Sequence, residues 1–325
     1  MKIAIVLVSL LGIVACSLAT TTYDDLLWDS YKSDFNKVYI TPFEEDRRKQ
    51  IFLKNVEVID AHNERYFAGE ETYEQGINEF TDRLDQEIAI GESDDSDEFE
   101  DVEMEPTVCL NEGVNIKIPA HVNWTQLGAV SPVANQGHFN NSWAFAAAGV
   151  VESRQFIKTG KMVVLSKQNL VDCCHARDHL TASALICIRK KGGIDTEASY
   201  PYRGIAGRCR YSKRTIGAKI KKVFQVRPGN ETILALTVAK GPVAAVISLD
   251  ALKSYKSGVF HNTRCSQAPN FPVLVVGYGH DKSAGDFWIL KTPLGTNWGE
   301  KGYLRLARGK QNLCGITNRA YYPKF

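Results

Sequence analysis

Beyond its first nineteen residues the chain has no apolar run long enough to cross a bilayer, and none of its cysteines stands in the paired spacing that holds zinc. The first absence excludes a membrane-spanning anchor. The second leaves the cysteines to disulfides, and no metal or other cofactor is expected. Net charge is nearly absent too, at +2 over 325 residues, but that balance hides two opposed halves. Residues 20–106 hold 8 Lys+Arg against 26 Asp+Glu, so 8 − 26 = −18, whereas residues 107–325 hold 30 against 11, so 30 − 11 = +19.

What is present reads as a secreted globular protein. Lys2, an apolar run from Ile3 to Cys16 and then Ser17-Leu18-Ala19 predict a signal peptide over 1–19, cut after Ala19. The destination is extracellular, with a lysosomal or other endomembrane compartment as the alternative. A hydrophobic content of 44% and a charged content of 23% suit a sizeable core. Residues 28–39 and 44–66 carry helical periodicity, and Glu44, Arg48, Phe52, Asn55, Ile59 and Asn63 keep to one helix face. Nine of the fourteen residues from Glu92 to Glu105 are acidic, which predicts a solvated, disordered linker.

From about Thr107 the pattern changes. The stretch Asn135–Glu152, NQGHFNNSWAFAAAGVVE, is a polar loop running into a buried helix, with Asn140 and Asn141 as cap candidates. Strand-like runs follow at 243–249, 273–276, 287–290 and 303–306, separated by glycine-rich turns. Helices first and strands second predict an α+β fold.

Here the chain resembles the papain-like cysteine proteases. Gln136, Gly137, Trp143, Ala144 and Phe145 match the family's nucleophile motif, with Ser142 at the position of the catalytic cysteine and Phe139 at that of a disulfide cysteine. The set from Glu44 to Asn63 named above, and Gly76, Asn78, Phe80 and Asp82, match the two motifs of a cathepsin L-like inhibitory propeptide. The resemblance implies a papain-like two-domain fold over 107–325, a helical half facing a β-barrel-like half. Before it come a propeptide over 20–91, which would be the domain's own partner, and the acidic linker over 92–106. It also implies that Phe271 replaces the catalytic histidine, that Thr292 replaces the asparagine orienting it, and that Leu294 replaces a shielding tryptophan. Gln136 keeps the place of the oxyanion-stabilising glutamine, and Trp298 that of an indole near the site. By the same resemblance Cys173 pairs with Cys209 and Cys265 with Cys314. A third family bridge is lost at both ends, at Phe139 and in a loop rewritten to Ala176–His179. Cys109, Cys174 and Cys187 remain, and a Cys174–Cys187 bridge is open.

The resulting expectation is an inactive homologue, a pseudoprotease with vestigial positions Ser142, Phe271, Thr292 and Gln136 and a binding, decoy or structural role. A serine cannot wait as a thiolate and needs a base at the moment of attack. The competing expectation is a serine hydrolase whose base has moved, with His138 the candidate, or a residual peptidase of the family type. Sequons at Asn123, Asn140 and Asn230 are candidate glycosylation sites. Partners in view are sulfated glycans and other polyanions for the basic half, and proteases or protease inhibitors for a decoy.

Overall fold

The computed structural model describes residues 23–87, 102–104, 118–174, 180–249 and 251–325. The predicted signal peptide, Cys109 and the rewritten loop at 176–179 lie outside the described residues. Six helices are described: α1 (23–34), α2 (Pro42–Phe67), α3 (Ser142–Thr159), α4 (Lys167–Cys173), α5 (Thr181–Lys191) and α6 (Glu231–Ala239). The strands are β1 (Tyr73–Gln75), β2 (Glu103–Met104), β3 (Val122–Asn123), β4 (Ile194–Asp195), β5 (Ile216–Ala218), β6 (Lys222–Gln225), β7 (Val243–Ile247), β8 (Tyr255–Phe260), β9 (Phe271–Asp281), β10 (Gly285–Lys291), β11 (Tyr303–Ala307) and β12 (Ala320–Lys324).

The leader is two helices and a strand. Thr41 starts α2, its hydroxyl accepting the Glu44 amide, with Pro42 at the first helical position and Glu44 and Glu45 in the first turn. A side-chain acceptor, a preset φ and negative charge at the positive end all favour a helix start there. Phe52 and Ile59 are buried on one face of α2; Tyr31 of α1 stacks on Phe52 with centroids at 4.4 Å, and Trp28 meets it tilted at 5.3 Å. Each such side chain contributes about 1.5–3 kcal/mol of burial. The first helix does not run to Tyr39 as its periodicity predicted. Asn36 takes a left-handed φ of 50°, which breaks the helix, and Lys37 and Tyr39 turn instead toward Asp82.

The large sheet has the order β1-β8-β11-β10-β9-β7-β12-β6-β2, with β3 also on β9. The leader's β1 is an end strand, antiparallel to β8. The opposite end is β2, parallel to β6. This corrects the linker reading: Glu103 and Met104, predicted to be unstructured, form a strand because β6 offers an unpaired edge and Lys222 lies 2.8 Å from the Glu103 carboxylate.

Strand β9 divides the two cores. Val273 and Val275 face the sheet-side core with Phe271 and Tyr278, while Leu274 and Val276 face the helical core with Trp143 and Ala147. Both faces being covered, the strand reads as a continuous apolar run. Helix α3 lies against it through Gly149, where an added Cβ would sit 3.2 Å from Leu274. Disulfides join Cys173–Cys209, Cys174–Cys187 and Cys265–Cys314.

Candidate active site

The site lies where α3 begins, β9 begins and the turn after β10 passes. The loop before α3 is fastened to that turn: the Gln136 amide donates to the Pro293 carbonyl at 2.8 Å, and Asn135 bridges Leu294. In the first two turns of α3, Phe145, Ala146 and Gly149 meet Pro272, Thr292 and Pro293 around a small cavity of about 20 Å³, room for a single water. Of the sequence-predicted positions Thr292 lines this cavity itself, and Pro272 and Phe145 bring the neighbouring backbone of Phe271 and Ser142 to it.

Their side chains do not form a relay. Ser142 is 1% exposed, and its hydroxyl has no hydrogen-bond partner among the described residues. Phe271 is buried in the sheet-side core and pairs across the strand with Ile247. The Thr292 hydroxyl donates to the Gly302 carbonyl at 3.0 Å and accepts the Leu294 amide at 3.4 Å, so its polar atom is spent on backbone groups. Gln136 Oε1 is buried and also lacks a partner among the described residues. His138, the alternative base, accepts from Arg83 of the leader through Nδ1 at 3.0 Å and is exposed. It is not bonded to Ser142.

Asn141 takes the N-cap position of α3, but its side chain does not cap the helix. It donates instead to the Tyr202 hydroxyl and the Gly204 carbonyl, both at 2.9 Å. Tyr202 in turn donates to the Gln136 carbonyl at 2.9 Å and meets Phe145 edge-on at 5.0 Å. Burial pushes the Tyr202 phenol up, away from ionisation, so it acts here as a neutral clamp. Phe139 lies on Gly204, where an added Cβ would come within 2.6 Å of the ring. Asn140 is half-buried beside this network, Asn123 accepts from Thr125, and Asn230 caps α6 through the Ile233 amide.

Two groups escaped the sequence reading. Behind Thr292, the Lys291 ammonium donates to the Ser131 carbonyl and hydroxyl at 2.8 and 3.1 Å, and Ser131 donates to buried Glu152, which also receives Lys167 at 3.2 Å. Desolvation pushes Lys291 down to about 8. On the leader side, the Lys253 carbonyl accepts from Asn78 at 2.7 Å and from Trp298 at 3.3 Å, while its ammonium reaches Asp85 and the Arg83 carbonyl. Trp298 is therefore a buried strut of the docking surface. A lone lysine, at the end of β10 or just before β8, carries no sequence signal for either role.

A helical core and a sheet core sharing one central strand, with a helical leader added to the sheet's end, define a two-domain protease fold carrying its own inhibitory segment. The chain belongs to the papain family: residues 118–324 match the papain family cysteine protease domain, and residues 28–88 the cathepsin propeptide inhibitor domain. It is 35% identical to a cathepsin L-like peptidase of Aedes aegypti over 98% of this chain and 99% of that protein. With cathepsin L of Sarcophaga peregrina it shares 36% over 98% of both chains. Among solved structures it is similar to digestive procathepsin L2 from the larval midgut of Tenebrio molitor, with a TM-score of 0.85, 33% identity and coverage of 93% of this chain and 100% of that one. The family is one of cysteine endopeptidases.

Proposed function

We propose that this chain is a catalytically inactive, secreted member of the family that works by binding, as a decoy or structural protein. The observation that carries this reading is the Ser142 hydroxyl, buried and without a hydrogen-bond partner among the described residues. A serine nucleophile needs a base within hydrogen-bond reach, and Phe271 at the imidazole position cannot accept a proton. Purified precursor held at acidic pH stays full length, and after cutting by an added protease it cleaves no peptide or ester substrate above a Ser142→Ala control. Hydrolysis that vanishes in Ser142→Ala would establish the serine-hydrolase reading in its place, and spontaneous, concentration-dependent maturation would restore a peptidase.

The basic half supplies the binding chemistry. Its +19 formal charge (30 − 11, residues 107–325) produces a field of several kT that attracts sulfated glycans and other polyanions without a shaped pocket. Binding to a heparin column weakens steeply with salt, as counterions are released, and the protein cut free of its acidic leader elutes later than the precursor. Elution of the cut protein no later than the precursor removes polyanions as partners.

A further inference from the structure

The end of the sheet opposite the leader carries an arrangement that neither the fold nor the vestigial site requires. Among the described residues strand β6 pairs with β12 on one side, and on the other only with the two residues of β2, Glu103 opposite Phe224 and Met104 opposite Gln225, in parallel. Val102, just before them, packs against the helical core, and Glu103 points outward to Lys222 at 2.8 Å. One apolar residue inward and one carboxylate outward is the side-chain alternation by which an edge strand reads an added peptide, the backbone ladder supplying affinity. The rim is cationic: Lys219, Lys221, Lys222 and Lys324 are all exposed. The segment that occupies it comes from a run in which nine of fourteen residues, Glu92–Glu105, are acidic.

We propose that the outer edge of β6 is a strand-addition site for an extended acidic peptide, filled in the intact chain by its own residues 102–104. The tether is what keeps it filled. Two residue pairs and one half-exposed ion pair hold weakly by themselves, and they persist because the covalent linker presents the segment at high effective concentration. A cut between 105 and 117, followed by departure of the leader, removes that advantage and leaves β6 as an open, cationic edge, complementary to a partner peptide with an apolar residue followed by a carboxylate. The inference is independent of whether Ser142 is catalytic.

The test uses the full chain with its own strand unseated by Val102→Asp and Glu103→Lys, and a fluorescent peptide of residues 98–106. In anisotropy titrations the unseated chain binds the peptide at least about tenfold more tightly than the wild-type chain, whose edge is occupied. Adding Lys222→Glu weakens binding on the order of tenfold, and a peptide carrying Glu103→Lys recovers it. Circular dichroism and an unchanged melting temperature establish that the variants fold, and Lys222→Glu in the wild-type background provides a second check through loss of hydrogen-exchange protection at 103–104. A scrambled peptide that binds equally well reduces the site to charge attraction and overturns the proposal. So does equal binding by the wild-type chain, or elution of the unseated chain as a dimer, which would make the occupant a second copy.

Discussion

Ser142→Cys alone yields no peptidase activity, and cleavage returns only when Phe271→His and Thr292→Asn accompany it. The single variant carries a thiol close to its free pKa of about 8.5, with no imidazolium beside it to hold a thiolate. A nucleophile without its base retains only what the oxyanion hole and substrate binding supply, so the triple variant exceeds the single one by about a thousandfold or more. The added groups have a structural cost. Phe271 and Thr292 are each 3% exposed, and placing an imidazole in the first site and a larger amide in the second costs about 1–3 kcal/mol apiece. Rates are therefore compared per folded molecule, with melting curves for each variant. Strong cleavage by Ser142→Cys alone would mean that a base already stands beside residue 142, and the inactive reading would fall.

Asp82→Asn loosens the leader by about 3–5 kcal/mol, the range for breaking a buried pair from one side. The Asp82 carboxylate is 3% exposed and accepts from Tyr31 at 2.8 Å, Lys37 at 2.9 Å and Tyr39 at 2.9 Å. It joins α1, the chain after it and the turn that carries Asn78 to the Lys253 carbonyl. An amide leaves the Lys37 ammonium, itself 11% exposed, without its counter-charge. Hydrogen exchange over residues 72–83 reads the effect, and exchange unchanged from wild type would show that the knot is not what seats the leader.

The same knot fixes the response to acid. Burial by itself would raise the Asp82 carboxyl, but Lys37 and the two tyrosine hydroxyls overcome burial and hold it below the usual carboxylate range. A carboxyl lowered in the folded state stabilises above its unfolded value, about 3.9, and loses that contribution only as pH falls through the lower folded value. Glu79 runs the other way: burial raises it, so protonating it favours the folded leader. Neither carboxyl releases the leader at pH 5, where protection over 72–83 is at least that at pH 7 in wild type.

The sequence by itself determined the frame. Apolar spacing located α2 and the central helix, a continuous run marked β9, and the motif residues set Ser142, Phe271 and Thr292 against the positions of a protease relay. Those features are legible because they are local: a helix face repeats within a few residues, and a motif is a fixed spacing. Only the tertiary structure decided where their polar atoms go. That the Ser142 hydroxyl has no described partner, that Thr292 bonds to Gly302, and that Asn141 clamps Tyr202 rather than capping its helix all depend on neighbours up to 61 residues away. Strands β6, β8 and β12 went unread for the same reason, since short strands are stabilised by their cross-sheet partners more than by their own composition. Lys253 and Glu103 show it most plainly. The sequence offered no reading of Lys253 and put Glu103 in a solvated acidic run, and the sheet's two ends turned the first into the leader's anchor and the second into an edge strand.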